Sequence, residues 1–251
     1  MSEKIFSNVA HIYDKHRPSY ANGLFEYLYG DVGLNDSSEI ADIGSGTGIF
    51  TKELLKRNSR VYAVEPNYDM RRFAEAKFSS NGRFVSVAGT AETTTLDYRS
   101  IDYITVAQAF HWFKKDLFYR ECQRILKPQG KVILVWNQRD INSDLVREID
   151  LVNATYCPSF SGYSKGMRGA LGDSDYSNFF YGPYETKRFA NNLTYTKESF
   201  IGWHLSASYR LSESAKHFEK YVMCLEDIFD LHSKNQKIII PNFTVSYIGT
   251  V

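Results

Sequence analysis

Ile40-Ala41-Asp42-Ile43-Gly44-Ser45-Gly46-Thr47-Gly48-Ile49 joins a short apolar run to a turn in which every second residue is glycine. A brief apolar run bounded by turn residues is expected to be a buried strand, and helical spacing begins at Phe50-Thr51-Lys52-Glu53-Leu54-Leu55. Lacking a Cβ, Gly44, Gly46 and Gly48 can take positive φ and let a ligand approach the backbone. The stretch is therefore expected to turn from strand to helix around a nucleotide-type cofactor. Glycine in a turn also serves packing alone, so the surroundings must decide between the two.

Outward from this run, β-rich segments alternate with amphipathic ones. Strands are expected at Glu39–Ile43, Val61–Glu65, Phe84–Ala88, Ile101–Ala107 and Lys131–Asn137, and helices over Ile49–Arg57, Asp69–Ser79 and Lys115–Leu126. Lys127-Pro128-Gln129-Gly130 reads as the stop after the last of these helices. Repeated βα units of this kind build an α/β, doubly wound, mostly parallel sheet covered on both faces. Ahead of them, Ser7 can cap a helix bearing Val9, Ile12 and Tyr13, and after Pro18 a second apolar face is formed by Leu24, Phe25 and Leu28. These helices are expected to cover the site.

Beyond Asn137 the alternation stops. A Gly-, Ser- and Tyr-rich stretch from Pro158 to Gly182 reads as a lid or a tolerated insertion, with helices following over Lys197–Ser208 and Glu213–Ser233 and strand material at Lys237–Ile240 and Thr244–Ile248. The expected organisation is a single domain. Residues 1–33 form a helical cover, 34–137 the cofactor-binding core, 138–236 a lid inserted between the fifth and sixth strands, and 237–251 the closing strand.

Composition narrows the partners. The 251 residues are 43% hydrophobic, and 30 basic against 29 acidic side chains give a net charge of +1. No charge excess marks a nucleic-acid binder or a membrane surface, so a small-molecule substrate is expected. Neither a signal-peptide core nor an apolar run of spanning length is visible, which points to the cytoplasm. Cys122, Cys157 and Cys224 are too far apart to read as a metal site, and none is expected.

The cofactor can be narrowed further. A dinucleotide fingerprint needs a glycine three positions after the second one, but Ile49 stands where that glycine belongs. Asp42, two residues before the first glycine, would repel a pyrophosphate and suits a cationic ligand. Glu65, ending the second strand in Val61-Tyr62-Ala63-Val64-Glu65-Pro66-Asn67, can accept both hydroxyls of a ribose.

These residues resemble the class I S-adenosylmethionine-dependent methyltransferases. Asp42-Ile43-Gly44-Ser45-Gly46-Thr47-Gly48 is similar to the first motif of that family, Val64-Glu65-Pro66 to its ribose-binding strand end, and Gly89-Thr90-Ala91-Glu92 to the segment framing the adenine. Leu126-Lys127-Pro128-Gln129-Gly130-Lys131 is similar to its turn before the fifth strand. Phe6–Asp14 with Arg17-Pro18, and Ala107-Gln108-Ala109-Phe110-His111-Trp112-Phe113, resemble the small-molecule branch that includes trans-aconitate methyltransferases.

The resemblance implies a seven-stranded Rossmann-like sheet and S-adenosyl-L-methionine as cofactor, with S-adenosyl-L-homocysteine as product. It also implies cofactor contacts from Asp42, Gly44, Ser45, Gly46, Gly48, Glu65, Pro66, Thr90, Ala91, Glu92, Gln108, Tyr13 and Arg17. Tyr13 and Arg17, four apart on an expected helix, would together suit a carboxylate, that of the cofactor or of an acceptor.

Methyl transfer from a sulfonium is an in-line displacement, and an acceptor carboxylate, ionised at neutral pH, needs no general base. A carboxylate oxygen is therefore the expected acceptor. An alcohol or amine would want a base, for which His111 is the candidate; its alternative is packing that orients Trp112. Trp112, Phe113, Trp203 and Tyr209 are expected to line the acceptor pocket, with Ser206, Ser208 and Arg210 closing over it. Two rival readings stand beside this one: a nicotinamide oxidoreductase and a non-catalytic cofactor-binding protein. A monomer or a homodimer is expected.

Overall fold

The computed structural model of the chain describes residues 17–160, 173–207 and 209–251. The apolar run before the glycines is β1 (Glu39–Ile43), and its burial on both sides explains why it carries apolar residues without alternation. Four more strands run parallel to it: β2 (Arg60–Val64), β3 (Phe84–Val87), β4 (Ile101–Ala107) and β5 (Leu126–Arg139). With β6 (Tyr184–Ala190) and β9 (Asn242–Gly249) they form one seven-stranded sheet in the order β3-β2-β1-β4-β5-β9-β6, and β9 alone runs against its neighbours. Chain order reverses at β1, between β2 and β4. At such a switch point open α/β sheets bind ligands outside the carboxyl ends of their strands.

Helices cover both faces. On one, α1 (Asn22–Tyr27, prolonged by a π-turn over Leu28–Val32) and α2 (Ile49–Leu55) bury Leu24, Phe25, Leu28, Phe50 and Leu54 against Ile40, Val61, Ile133 and Val135. Asn67 opens α3 (Tyr68–Phe78) by accepting a hydrogen bond from Met70 N at 3.0 Å. On the other face α4 (Lys115–Ile125) and α6 (Asp173–Phe180) pack Phe118, Cys122, Ile125, Phe179 and Phe180 onto Ile104, Val106, Leu134 and Trp136.

A third core lies outside the sheet. It is built from α5 (Asp144–Tyr156), α7 (Lys197–Leu205), α8 (Phe218–His232) and an antiparallel ribbon of β7 (Leu193–Tyr195) and β8 (Ile238–Ile240). No helix among the described residues is long and apolar enough to cross a membrane.

Four expectations change. The stop at Lys127–Gly130 does not precede the fifth strand but lies within it, as a bulge: Ile101 pairs with Leu126, and after a register shift Tyr103 pairs with Lys131. The cover is not a single insertion between the fifth and sixth strands, because β6 lies inside residues 138–236 and returns the chain to the sheet. Residues 193–240, between β6 and β9, supply most of the third core. Residues 238–240 join the cover ribbon, leaving β9 to close the sheet. Finally, the helix bearing Leu24, Phe25 and Leu28 packs on a sheet face, and only the segment ahead of it, Arg17–Ala21, reaches the strand ends. The expected helix around Val9, Ile12 and Tyr13 lies outside the described residues, as does most of the Pro158–Gly182 loop.

Candidate cofactor and acceptor site

The glycine turn is fastened to β2, since Gly44 N and Ser45 N both donate to Val64 O, at 2.9 and 3.2 Å. Its three glycines do different work. Gly44 sits at φ 72°, and a Cβ there would come within 2.7 Å of Ala109 Cβ and 3.3 Å of the Phe113 ring. Gly48, at φ 81° on the N-cap of α2, would meet the Phe78 ring at 2.6 Å. A Cβ on Gly46, at φ 57°, would meet nothing within 4 Å. The outer two glycines permit close packing, and the middle one opens onto a cleft lined by Tyr20, Asp42, Ser45, Thr47 and Ala107. The Oγ of Ser45 and the Oγ1 of Thr47 are buried there without a hydrogen-bond partner among the described residues. Buried hydroxyls left this way are expected to bond a ligand.

Two carboxylates stand behind the turn. Glu65, 8% exposed, accepts from Gly46 N at 2.9 Å through Oε2 and from Asn67 N at 2.8 Å through Oε1. Each oxygen keeps one lone-pair direction, enough for the two hydroxyls of a ribose. Arg71 grips the same strand end by donating to the carbonyl oxygens of Glu65 and Pro66. Asp42, 1% exposed, accepts from Thr51 Oγ1 at 2.6 Å and Thr105 Oγ1 at 3.0 Å. Burial pushes the Asp42 carboxyl up to about 6 against the pull of those two hydroxyls. Burial also raises Glu65, and the charge of Asp42 adds to it, while the Asn67 and Gly46 amides and Arg71 oppose the rise. Two acids that resist ionising side by side favour a cation between them and solvent.

A second depression adjoins the first across Ala107 and Gln108. Arg17, Gln108, Asn137, Arg139, Trp203 and Tyr209 line it, and none of its described lining residues is acidic. Arg17 donates through Nη2 to Ser206 O at 3.1 Å. Gln108, held at φ 58°, donates through Nε2 to Asn137 O at 3.2 Å. Gln108 was expected among the cofactor contacts and Arg17 on a carboxylate of the cofactor or of an acceptor; both line this depression rather than the glycine cleft. A strap of backbone separates the two: Asn137 Nδ2 donates to Ser19 O, Ala21 N donates to Thr244 Oγ1, and Thr244 Oγ1 donates to Asn137 Oδ1. Pro18 therefore borders one depression and Tyr20 the other.

The remaining candidates separate as follows. Trp203 and Tyr209 line the second depression. Phe113 is not in its lining; it packs beneath Gly44 and edge-on to Phe110 and Phe118. Thr90, Ala91 and Glu92 follow β3, the strand beside Glu65. Within that segment Ala91 is buried in the sheet core, and Glu92 accepts from Lys114 N at 2.9 Å. His111 lies between the rings of Trp112, at 4.6 Å, and Trp136, at 5.5 Å. Neither of its ring nitrogens has a hydrogen-bond partner among the described residues, and burial lowers it to about 4. A neutral imidazole with so low a pKa is a weak base, which fits packing. Tyr13 and Ser208 lie outside the described residues. Arg139 escaped the sequence reading, although the polar run Asn137-Gln138-Arg139 at the end of an apolar strand was its available signal.

Known proteins agree with this architecture. A family described as a methyltransferase domain matches residues 41–134. An uncharacterized methyltransferase of Mycobacterium tuberculosis is 35% identical over 144 residues, which are 57% of this chain and 56% of that protein. A methyltransferase-like protein of Schizosaccharomyces pombe is 30% identical over 161 residues, 62% of each chain. The chain thus spans little more than half the length of the curated relatives it matches. Among solved structures, a putative type II methyltransferase from Anaeromyxobacter dehalogenans shares the fold at a TM-score of 0.67 and 20% identity, over 93% of this chain and 97% of that one. The seven-stranded, mostly parallel sheet agrees with the fold of these structures, and residues 41–134, which hold the glycine turn and Glu65, are the part of the chain that matches the methyltransferase-domain family.

Proposed function

We propose that the protein transfers a methyl group from S-adenosylmethionine to a small-molecule acceptor, and that the atom methylated is a carboxylate oxygen. The observation that carries this reading is the division of charge across the strand ends. Asp42 lines one depression, with Glu65 held behind it on Gly46 N, and Arg17 and Arg139 line the other. A donor with a sulfonium and an ammonium against one carboxylate is a net cation suited to the acidic half. An anion suits the basic half.

The residues fit the donor by their own chemistry. Glu65 has one acceptor direction left on each oxygen for the ribose hydroxyls. Gly46 leaves room for close approach, and Ser45 and Thr47 offer buried hydroxyls without hydrogen-bond partners among the described residues. Thr90, Ala91 and Glu92, beyond the neighbouring strand, are assigned to the adenine. Bound S-adenosylmethionine supplies a methyl already activated by its positive sulfur. What the chain must add is alignment and exclusion of water, and the strap with the third core provides walls for both. An ionised carboxylate presents its lone pair directly, so no residue need take a proton, in keeping with the weakly basic His111.

Calorimetry with S-adenosylhomocysteine tests the donor, and absence of binding at millimolar ligand overturns it. Incubation with a labelled methyl donor and a panel of acids, phenols and amines tests the acceptor. Label appearing only on phenols or amines would refute the carboxylate.

A further inference from the structure

The segment assigned to the adenine belongs to no helix or strand and is held from outside. It leaves β3 beside the acid assigned to the ribose. Glu65 N donates to Val87 O at 3.1 Å, so a base joined to a ribose on Glu65 falls over the residues after β3, roughly 5 Å away at the usual strand spacing. Those residues close a small loop. Thr90 and Thr93 exchange backbone hydrogen bonds at 3.1 and 3.3 Å, and a Cβ on Gly89 would come within 2.7 Å of the Thr94 carbonyl oxygen, so the two ends of the loop are pressed together.

Helix α4 clamps this loop at two points. At its N-terminus Lys114 N donates to Glu92 Oε1 at 2.9 Å. About two turns further along, Glu121 Oε1 accepts from Thr94 N at 2.7 Å and from Thr94 Oγ1 at 2.6 Å. Arg124 donates to the same carboxylate from Nε to Oε2 and from Nη2 to Oε1, both at 2.8 Å. Thr94 is fully buried and Glu121 is 7% exposed. Burial pushes the Glu121 carboxyl up, but the hydrogen bonds from Arg124 and Thr94 outweigh it and hold it down at about 2, so the clamp stays charged near neutral pH and is a fixture rather than a switch. Its four hydrogen bonds use about as many lone-pair directions as a carboxylate offers, so Glu121 has none to spare for a ligand. A network so satisfied, reaching from a core helix to a loop, fixes where the loop stands.

We propose that Glu121, acting through Thr94, is a positioning residue for the cofactor: it holds residues 90–92 where they meet the adenine, so that the base is read by a loop set in place before binding. This rests on the methyl-transfer reading above and on its assignment of residues 90–92 to the adenine. Hydrogen-bonding groups already fixed tell a 6-amino group from a 6-oxo group, because the wrong base leaves them unpaired. The same groups on a loosened loop must be ordered on binding and adapt to either base.

The test uses the full chain and two ligands, S-adenosylhomocysteine and S-inosylhomocysteine, which differ only at the edge of the base. Wild type is expected to bind the first at least about tenfold more tightly. Thr94→Val, which removes one hydroxyl and keeps the shape of the side chain, should lower that preference by about threefold to tenfold, the range for one hydrogen bond, with the loss falling on S-adenosylhomocysteine. Glu121→Gln should lower it further, since its amide group sets donor against donor at Arg124. Thr94→Ser, which keeps the hydroxyl, should restore the wild-type preference. Thermal melts without ligand establish that each variant is folded at the temperature of titration, and Thr94→Val carries the test where Glu121→Gln is not.

A preference unchanged in Thr94→Val overturns the proposal. So does an equal loss for the two ligands, which a clamp serving stability alone would give, or a Thr94→Ser variant that behaves like Thr94→Val. Wild type that binds both ligands equally takes residues 90–92 away from the base and overturns the proposal as well, leaving the methyl-transfer reading in place. Wild type that binds neither ligand refutes the methyl-transfer reading itself.

Discussion

Replacing Asp42 by Asn is expected to stabilise this protein at neutral pH while weakening its hold on the cofactor. The carboxyl is 1% exposed, and burial moves it from 3.8 to about 6. Because the native carboxyl binds its proton more tightly than the unfolded one, its contribution to stability is full below about pH 4, is lost as the pH rises through about 6, and is constant above. A displacement of that size corresponds to about 3 kcal/mol, an order of magnitude for a buried group. Asn removes the charge and can still accept from one of Thr51 and Thr105 while donating to the other hydroxyl once it turns.

Asp42→Asn should therefore match wild type near pH 4 and exceed it by about 1–3 kcal/mol at pH 7.5, or roughly 2–10 °C in Tm for a chain of this length. Urea titrations across that pH range, without cofactor, give the comparison. A variant that is destabilised equally at every pH, or one whose advantage does not grow with pH, would sink the argument. S-adenosylhomocysteine calorimetry supplies the second half, since the ammonium of that ligand would lose the negative partner that Asp42 offers in the cleft.

Glu65→Ala is expected to weaken S-adenosylhomocysteine binding by about 1–3 kcal/mol, through ribose hydroxyls and the Gly46 and Asn67 amides left without an acceptor; calorimetry showing wild-type affinity would remove Glu65 from the ribose. Gly48→Ala should lower Tm more than Gly46→Ala, because only at Gly48 does a Cβ collide with the Phe78 ring, whereas Gly46→Ala should act mainly on cofactor affinity; the reverse order in thermal melts would contradict the division of labour in the turn. His111→Gln should leave the pH profile of methyl transfer unchanged, and a lost inflection would make His111 a base.

The first half of the fold was legible because burial on both faces leaves its strands little choice. The expected bounds of the glycine-bearing strand and of Ile101–Ala107 are those observed, and the helices between differ only at their ends. The second half gave weaker signals for physical reasons. Tyr184-Glu185-Thr186-Lys187-Arg188-Phe189-Ala190 is an edge strand, and edges carry charge against mispairing, which hides their β character. Asp173-Ser174-Asp175-Tyr176-Ser177-Asn178 has turn composition, yet Phe179 and Phe180 fasten it to the core as a helix. At the site, Asp42 and Glu65 were readable because they flank one turn in sequence. Arg139 and Trp203 come together only when the cover folds back over β5, a pairing that no local spacing announces.

The strap from Arg17 to Ala21 makes the two depressions neighbours that share a wall. Pro18 borders one and Tyr20 the other, and the bonds to Asn137 and Thr244 fix the span between them. A ligand that shifted this wall from either side would change the space offered on the other, so binding in the two depressions would be linked through five residues of backbone. Such a linkage would be reciprocal: whatever factor a ligand in one depression imposed on binding in the other, the second ligand would impose on the first. The order in which the two ligands enter would then follow from which of them the wall admits first, making the strap a determinant of kinetic order as well as of shape.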